Sequence, residues 1–337
     1  MRNQKKILMI AITTFVLPIL LSLDSTAYMS NYLAKYKSPE GILFLSYTDT
    51  WTEDKLENLY LELINNKHGD EIYNLQEVRV FGEGMASDRY TRGQYNALTN
   101  TITLYHGDKY IEPTAFREIL SHEYGHHFTY YYLNHHHFPF SKWAKLRGLE
   151  DESIQWNAFW NYTSASHQWY PQEIIADDYV LLYGPTSPVD LKDVYSNEAF
   201  YLKTQHDNQD ISNVLENRQL HRYLEEVTGI PIDSTRIIDT PKFKILKDNV
   251  LSFNVTDKAN VAYRLNLTFF EKDGSTYTKG DDQEFLTITN EQHQGVITFP
   301  LKQINKKDSN EYLEVTIDVL DLDTSIGFQT QPIQVDW

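Results

Sequence analysis

The chain has 337 residues, no cysteine, and 47 acidic against 30 basic side chains, which gives a formal net charge of −17. The lack of cysteine excludes disulfides, thiolate metal sites and a cysteine nucleophile. The acidic surplus argues against a nucleic-acid partner because it repels phosphate backbones. Hydrophobic residues make up 41% of the chain, enough at this length for more than one core.

Residues 1–27 predict an export signal and not part of the fold. The segment starts with basic side chains, continues with an apolar run over 7–23, and ends on small residues that suit cleavage after Ala27. A retained membrane anchor is the alternative, because this run is at the lower limit for spanning a bilayer. Either way the remainder is expected to be secreted or extracellular. If the segment is retained, it holds the protein at the cell surface and is its one expected membrane contact.

The next part of the chain alternates strand and helix. Short apolar runs at Ile42–Leu45 and Val78–Phe81 predict two buried strands, and a helix between them carries apolar residues at helical spacing from Leu56 to Ile64. A polar turn is expected over 95–100. The alternating segment Thr101–Tyr105 then predicts a half-exposed edge strand.

Two longer helices follow. Pro113 suits the first turn of a helix that we expect to run to about Leu133. A second helix is expected to begin near Pro171 and to end before Gly184. Another stretch of helical spacing covers 211–227.

After Gly229 the pattern changes to the period of two that is typical of strands. Evenly spaced short strands predict a β-sandwich of the immunoglobulin-like kind. The segments with this period are 251–255, 263–269, 296–301, 312–319 and 328–335. The sequence therefore predicts an α+β chain with one domain over 28–237 and a β-sandwich domain over 238–337.

The first long helix contains an HExxH motif, His122-Glu123-Tyr124-Gly125-His126. Two histidines four residues apart project from the same helix face, where each can give one ring nitrogen to a single Zn²⁺ ion. Glu123 between them is a candidate general base, because its carboxylate would lie beside an open coordination position. Gly125 lowers the stability of a helix, so its presence indicates close approach by a neighbouring element, for which the second helix is the candidate.

The second helix supplies a third candidate ligand. Glu173 lies in its first turn, and Asp177 lies one turn later on the same face. Glu173 can complete a three-ligand zinc site while Asp177 accepts a hydrogen bond from the far nitrogen of a ligand histidine. Asp178 is the alternative partner, but it lies about 100° away around the helix. Glu173 could also be an ordinary acid at a helix N-terminus.

These residues resemble the gluzincin metallopeptidases, the thermolysin-like zincins in which HExxH is completed by a Glu with an Asp four residues on. The resemblance covers 93–184 and includes a strand ahead of the active-site helix that resembles the substrate-aligning strand of such enzymes. It implies a zincin-like catalytic domain, zinc bound by His122, His126 and Glu173, and Asp177 in support. It also implies hydrolysis of peptide bonds in a peptide or protein substrate, with Glu123 as general base.

The residue that stabilises the oxyanion is left open by the sequence. Tyr162, His167, Tyr170 and His206 are candidates, and we rank Tyr170 and His167 first because they adjoin the helix that carries Glu173.

Other readings of the sequence remain open. His127 is expected to be a surface neighbour of the site, and the run His135-His136-His137 is either a loop or a second metal site. A second functional hypothesis is a surface-binding or adhesion protein, with binding by the β-sandwich and a structural zinc. Three ligands with a neighbouring Glu favour a catalytic zinc over a structural one. The sequence gives no indication of substrate preference or oligomeric state.

Overall fold

A computed structural model describes residues 31–85, 90–150, 153–158, 162–273, 276–292, 294–301 and 310–336. The signal or anchor segment expected over 1–27 lies outside these residues. Within them, no helix combines the length and the apolar character needed to cross a membrane. The fold is α+β, as the sequence predicts.

The N-terminal part is built on a mixed sheet. The strands are β1 (Ala34–Lys37), β2 (Leu43–Ser46), β3 (Glu77–Val80), β4 (Gly93–Asn96) and β5 (Thr101–Leu104). In the described residues they are ordered β1-β2-β3-β5-β4. The central strands β2, β3 and β5 run parallel, and β1 and β4 pair antiparallel at the two sides.

The edge strand differs from the prediction. Thr101–Leu104 lies between β3 and β4, so it is an interior strand and the expected edge position is wrong. Its Ile102 and Leu104 are fully buried, and Thr101 is nearly so. The edge is β4, part of which the sequence predicts to be a turn because its polar residues hide the alternation of a strand. Asn100, in the left-handed region at φ 49°, lies in the turn that joins β4 to β5.

Seven α-helices lie in the described residues, and the first two of them pack against this sheet. They are α1 (Glu53–Ile64), α2 (Arg117–Tyr132), α3 (Lys142–Arg147), α4 (Pro171–Tyr183), α5 (Leu191–Tyr195), α6 (Glu198–Tyr201) and α7 (Arg218–Thr228). A 3₁₀ turn at Pro113–Phe116 leads into α2. The helix expected over 211–227 begins later, because the Asn217 side chain caps α7 by accepting from the Leu220 amide.

Helices α2 and α4 pack closely at Gly125. A Cβ atom on this glycine would lie 2.9 Å from the Ala176 carbonyl oxygen and 3.2 Å from the Tyr179 Cβ. Both are tighter than ordinary van der Waals contact, so only a glycine fits without a shift of the helices. The predicted close approach of the second helix to Gly125 is confirmed.

The C-terminal β region, residues 242–336, consists of antiparallel strands. They are β6 (Lys242–Lys247), β7 (Val250–Asn254), β8 (Val261–Asp273), β9 (Thr276–Ile288), β10 (Val296–Pro300), β11 (Asn310–Asp321), β12 (Gly327–Gln329) and β13 (Ile333–Asp336). The described strands form one sheet in the order β10-β7-β6 and another in the order β12-β11-β8-β9, with β13 paired to β11.

The two parts of the chain are joined by buried contacts. One continuous cluster of buried apolar side chains includes Leu120 and Ile174 beside the strand residues Phe253 and Val315. A smaller cluster packs Phe200 of α6 against residues of the second C-terminal sheet. The C-terminal β region is therefore held against the part that carries the HExxH motif.

Candidate metal centre

The three predicted ligands converge in the structure. The Nε2 atoms of His122 and His126 each lie 3.2 Å from the Glu173 Oε2. One potential ligand atom from each of the three residues lies within 4.8 Å of the other two. Helix α2 presents both histidines on one face, and α4 brings Glu173 across from them because the helices are in close contact at Gly125.

The spacing fits a tetrahedral zinc ion. Ligand atoms held about 2.0–2.1 Å from such an ion lie roughly 3.3 Å apart, and the two nitrogen-to-oxygen separations are 3.2 Å. Imidazole nitrogen and carboxylate oxygen are the zinc donors open to a chain without cysteine. His126 and Glu173 are 8% and 7% exposed, so the donors are largely screened from solvent. These three residues could therefore hold a metal ion such as zinc.

Asp177 takes the supporting position predicted for it. Its Oδ1 lies 2.8 Å from the His122 Nδ1, which directs the Nε2 of the same ring toward Glu173. Asp178 instead pairs with Arg147, with 3.0 Å between the carboxylate Oδ1 and the guanidinium Nε. The alternative role for Asp178 is therefore wrong, because its side chain forms a buried ion pair with Arg147 and does not meet His122 or His126.

Charges at the centre shift several pKa values. Burial of Glu173 opposes ionisation, but the charge of His126 and hydrogen bonds from His122, His126 and His167 lower the pKa of its carboxyl well below normal. Burial likewise opposes protonation of His122, yet its contact with Asp177 raises the pKa of the imidazole. Glu173 is thus an anion surrounded by imidazole rings, a charge arrangement that suits a cation at the same place.

Glu123 is buried beside the ligands and faces the strand β4. Its side chain is 5% exposed, and burial raises the pKa of its carboxyl. A Cβ atom on Gly93 of β4 would lie 2.6 Å from the Glu123 Oε1. The missing side chain at Gly93 therefore lets the strand pass directly over this carboxylate.

His167 lies across the centre, and Tyr170 does not. The His167 Nε2 is 3.2 Å from the Glu173 Oε2, and its Nδ1 is 3.6 Å from Asp207. Although burial acts the other way, the hydrogen bonds to Asp207 and Glu173 raise the pKa of His167 to about 10. The Tyr170 side chain is 1% exposed, and its hydroxyl accepts a hydrogen bond from the Thr163 amide at 2.8 Å. The structure thus brings one of the two top-ranked candidates to the cleft.

The other two oxyanion candidates also lie in different places, one in the cleft and one behind the proposed ligands. Tyr162 is exposed in the cleft, with its ring stacked on Tyr170 at 4.9 Å between centroids. His206 is buried behind the ligands, and its Nε2 donates to the Ile174 carbonyl oxygen at 3.3 Å. Of the four candidates, His167 and Tyr162 line the cleft beside Glu123.

His127 is not the surface residue that we expected. Its side chain is buried, with Nε2 2.8 Å from the Glu71 carbonyl oxygen and Nδ1 3.1 Å from the Tyr95 hydroxyl. Because it lies five residues after His122, His127 is not on the helix face that carries the proposed ligands. The face that carries His127 packs against the protein interior, including Tyr95 of β4, and is not exposed to solvent. The residues 135–137 belong to no group of three potential ligands among the residues that the structure describes.

A cleft runs past both sides of the centre. Two adjoining cavities of about 820 Å³ and 590 Å³ share the lining residues Gly93, Glu123 and His167. Tyr95 and Tyr130 line one end, while Glu118 and Asp207 line the other. Asp207 is a residue that sequence reasoning missed, because nothing in its local pattern indicates that it reaches His167.

No protein-family model and no curated protein matches the chain. Among solved structures, it is similar to a crystal structure of wild-type OgpA from Akkermansia muciniphila, over 84% of this chain and 70% of that one. The sequence identity is 8% and the TM-score is 0.15, too low to establish a common fold.

Proposed function

We propose that the protein is an exported zinc-dependent metallopeptidase. One observation carries the proposal: His122, His126 and Glu173 converge on a single point with zinc-like spacing, and the buried carboxylate of Glu123 lies beside them in an open cleft. A structural zinc would be closed by a fourth protein ligand, whereas a three-ligand set with a neighbouring carboxylate is typical of hydrolytic zinc sites.

The chemistry is divided among these residues. A bound zinc ion supplies Lewis acidity to water and to the carbonyl that is attacked. Glu123 takes a proton from the attacking water and later delivers it to the leaving amine, and the raised pKa of its buried carboxyl suits both transfers. His167 lies beside the proposed ligands, with its Nε2 3.2 Å from the Glu173 Oε2, where this nitrogen could donate a hydrogen bond to the developing oxyanion.

Strand β4 supplies a means of holding a peptide. In the described sheet it pairs only with β5, so its outer edge has main-chain groups available to a further strand. Gly93 on this strand lies over Glu123, which would align an extended peptide with the catalytic carboxylate. The substrate class that fits this arrangement is a peptide or an unfolded protein segment.

The architecture that accompanies this function is a zincin-like catalytic domain over 28–237 and an immunoglobulin-like β-sandwich over 238–337. The mixed sheet with an antiparallel edge strand ahead of α2 supports the first, and the two antiparallel C-terminal sheets support the second. Residues 1–27 would direct export, with secretion if they are removed and surface attachment if they are retained.

The direct test is cleavage of a peptide library by residues 28–337. We expect about one zinc ion per chain, cleavage that is lost after chelation, and recovery when zinc is returned. A zinc-loaded protein that cleaves neither peptides nor unfolded protein would contradict the proposal.

A further inference from the structure

The segment 203–210 connects the candidate metal centre to the C-terminal β region. We call it the linking segment. It follows α6, forms no helix or strand of its own, and passes behind the cleft on its way to α7. Its residues contact the candidate metal centre on one side and the C-terminal β region on the other, and neither set of contacts is evident from the sequence.

On the side of the metal centre, the linking segment fixes the groups that orient the ligands. The Asp207 amide donates to the Asp177 Oδ2 at 2.8 Å, while the Oδ1 of the same carboxylate lies 2.8 Å from the His122 Nδ1. One carboxylate thus joins a backbone amide of the segment to a ligand histidine. The Asp207 carboxylate also approaches His167, at 3.6 Å from its Nδ1.

Two buried neighbours hold Asp207 in this position. His206 donates from Nε2 to the Ile174 carbonyl oxygen on α4 and accepts from the Asn208 amide at its Nδ1. The Asn208 side chain donates to the Gln168 carbonyl oxygen at 2.9 Å, in the turn that carries His167. Both side chains are buried, so rotation of the segment would leave polar groups without partners.

On the other side, the C-terminal β region pairs with the linking segment as with an added strand. The Thr204 amide donates to the Ser325 carbonyl oxygen and the Gly327 amide donates to the Thr204 carbonyl oxygen, each at 2.9 Å, in parallel register. The side chain of Lys203 is nearly buried and lies 3.2 Å from Asp318 of β11.

Contacts among three glutamines extend this attachment beyond the strand-like pairing. The Gln331 side chain donates to the Gln209 carbonyl oxygen at 2.7 Å, and the Gln329 amide donates to the Gln209 Oε1 at 3.2 Å. The linking segment is therefore bonded to the C-terminal β region on both sides of Asp207.

We propose that the C-terminal β region positions the metal centre through the linking segment, by holding the Asp207 amide against Asp177 and thereby the ring of His122. This extends the proposed function, on which it rests, by giving the C-terminal β region a role in metal retention. Residues 203–210 act through Asp177 and His122, and none of them belongs to the group of potential ligands.

The mutational test uses the full mature chain with Gln209→Ala and Gln331→Ala combined, and Gln334→Ala as the control. Gln334 is an exposed residue of β13, and no hydrogen bond joins its side chain to the linking segment. We expect the double variant to raise the zinc dissociation constant about three- to tenfold, less than the loss of the Asp177 carboxylate itself would, with the control unchanged. An unchanged constant in the double variant would overturn the proposal.

A second measurement needs no variant and no enzymatic activity. Coupling between two sites is reciprocal, so zinc must slow amide hydrogen exchange at Thr204 and Gly327, by about threefold or more, if the linking segment carries the coupling. The amides of β10 serve as the internal reference. Equal exchange at Thr204 and Gly327 with and without zinc would overturn the proposal. A protein that binds zinc and shows this protection but cleaves no peptide would remove the proposed peptidase function and leave the coupling intact.

Discussion

Asp177 and Asp178 are adjacent residues of α4 whose replacement by Ala should affect different properties: zinc affinity for Asp177 and fold stability for Asp178. The Asp177 Oδ1 lies 2.8 Å from the Nδ1 of His122, a proposed ligand, whereas Asp178 pairs with Arg147. Asp177→Ala leaves the His122 ring without its orienting acceptor, a loss that typically weakens metal affinity about 10- to 100-fold, or about 1.4–2.7 kcal/mol.

Asp178→Ala acts on the fold instead. The two paired side chains are 1% and 2% exposed, so the change leaves a guanidinium buried without its counter-charge. Breaking a buried pair on one side costs about 3–5 kcal/mol of unfolding free energy. We expect the zinc dissociation constant of the folded variant to stay within about threefold of wild type, because the His122–Asp177 contact is retained.

The assay measures two quantities for each variant: zinc affinity by competition with a chromophoric chelator, and unfolding free energy of the metal-free protein in urea. Asp177→Ala should lose mainly zinc affinity, and Asp178→Ala should lose mainly unfolding free energy. Zinc affinity in Asp177→Ala that equals that of wild type would refute the role assigned to Asp177. Equal losses of affinity in the two variants would show that the effect is general destabilisation.

Three further predictions concern the elements around the centre. Gly125→Ala should lower the unfolding free energy measured in urea by about 1–3 kcal/mol, because its Cβ would lie 2.9 Å from the Ala176 carbonyl oxygen. This loss should exceed the gain from the better helix propensity of Ala, and equal or higher stability would contradict the packing. Gly93→Ala should lower kcat/KM for peptide cleavage about 100-fold, because its Cβ would lie 2.6 Å from the Glu123 Oε1 and would displace that carboxylate. Zinc stoichiometry should not change. Full activity would show that β4 does not lie over Glu123. Burial lowers the pKa of His136 to about 4, below the pKa of about 6.5 that a histidine has in the unfolded chain. The folded state is therefore at its full stability above about pH 6.5 and loses roughly 3 kcal/mol of unfolding free energy as the pH falls toward 4. His136→Gln should remove that part of the pH dependence of unfolding, and His135→Gln, which changes an exposed neighbour, should not; identical pH profiles for wild type and His136→Gln would contradict it.

The convergence of His122, His126 and Glu173 could be predicted from the sequence because local geometry determines most of it. The four-residue spacing of His122 and His126 places both on one face of any helix, and the same spacing relates Glu173 to Asp177. Gly125 further indicated that the two helices meet, since a glycine in a helix is unfavourable unless something lies close to it.

The residues that the sequence did not assign are those placed by tertiary contacts. Asp207 lies in the linking segment, which contacts both α4 and strands more than a hundred residues later in the chain, and its amide meets Asp177 there. His127 is buried because the sheet covers the face of α2 that the ligand spacing leaves free. Tyr170 was ranked by its closeness in sequence to Glu173, but its hydroxyl is bonded to Thr163 instead.

The most direct test of the central claim is the activity of Glu123→Gln at full zinc occupancy. The substitution removes the proposed proton acceptor and keeps the size of a side chain that is not among the ligand atoms. The control is Glu57→Gln, which changes an exposed carboxylate on α1. We predict that Glu123→Gln binds one zinc ion as wild type does and loses peptide cleavage by about a thousandfold or more, while Glu57→Gln retains it. Cleavage by zinc-loaded Glu123→Gln at the wild-type rate would contradict the account.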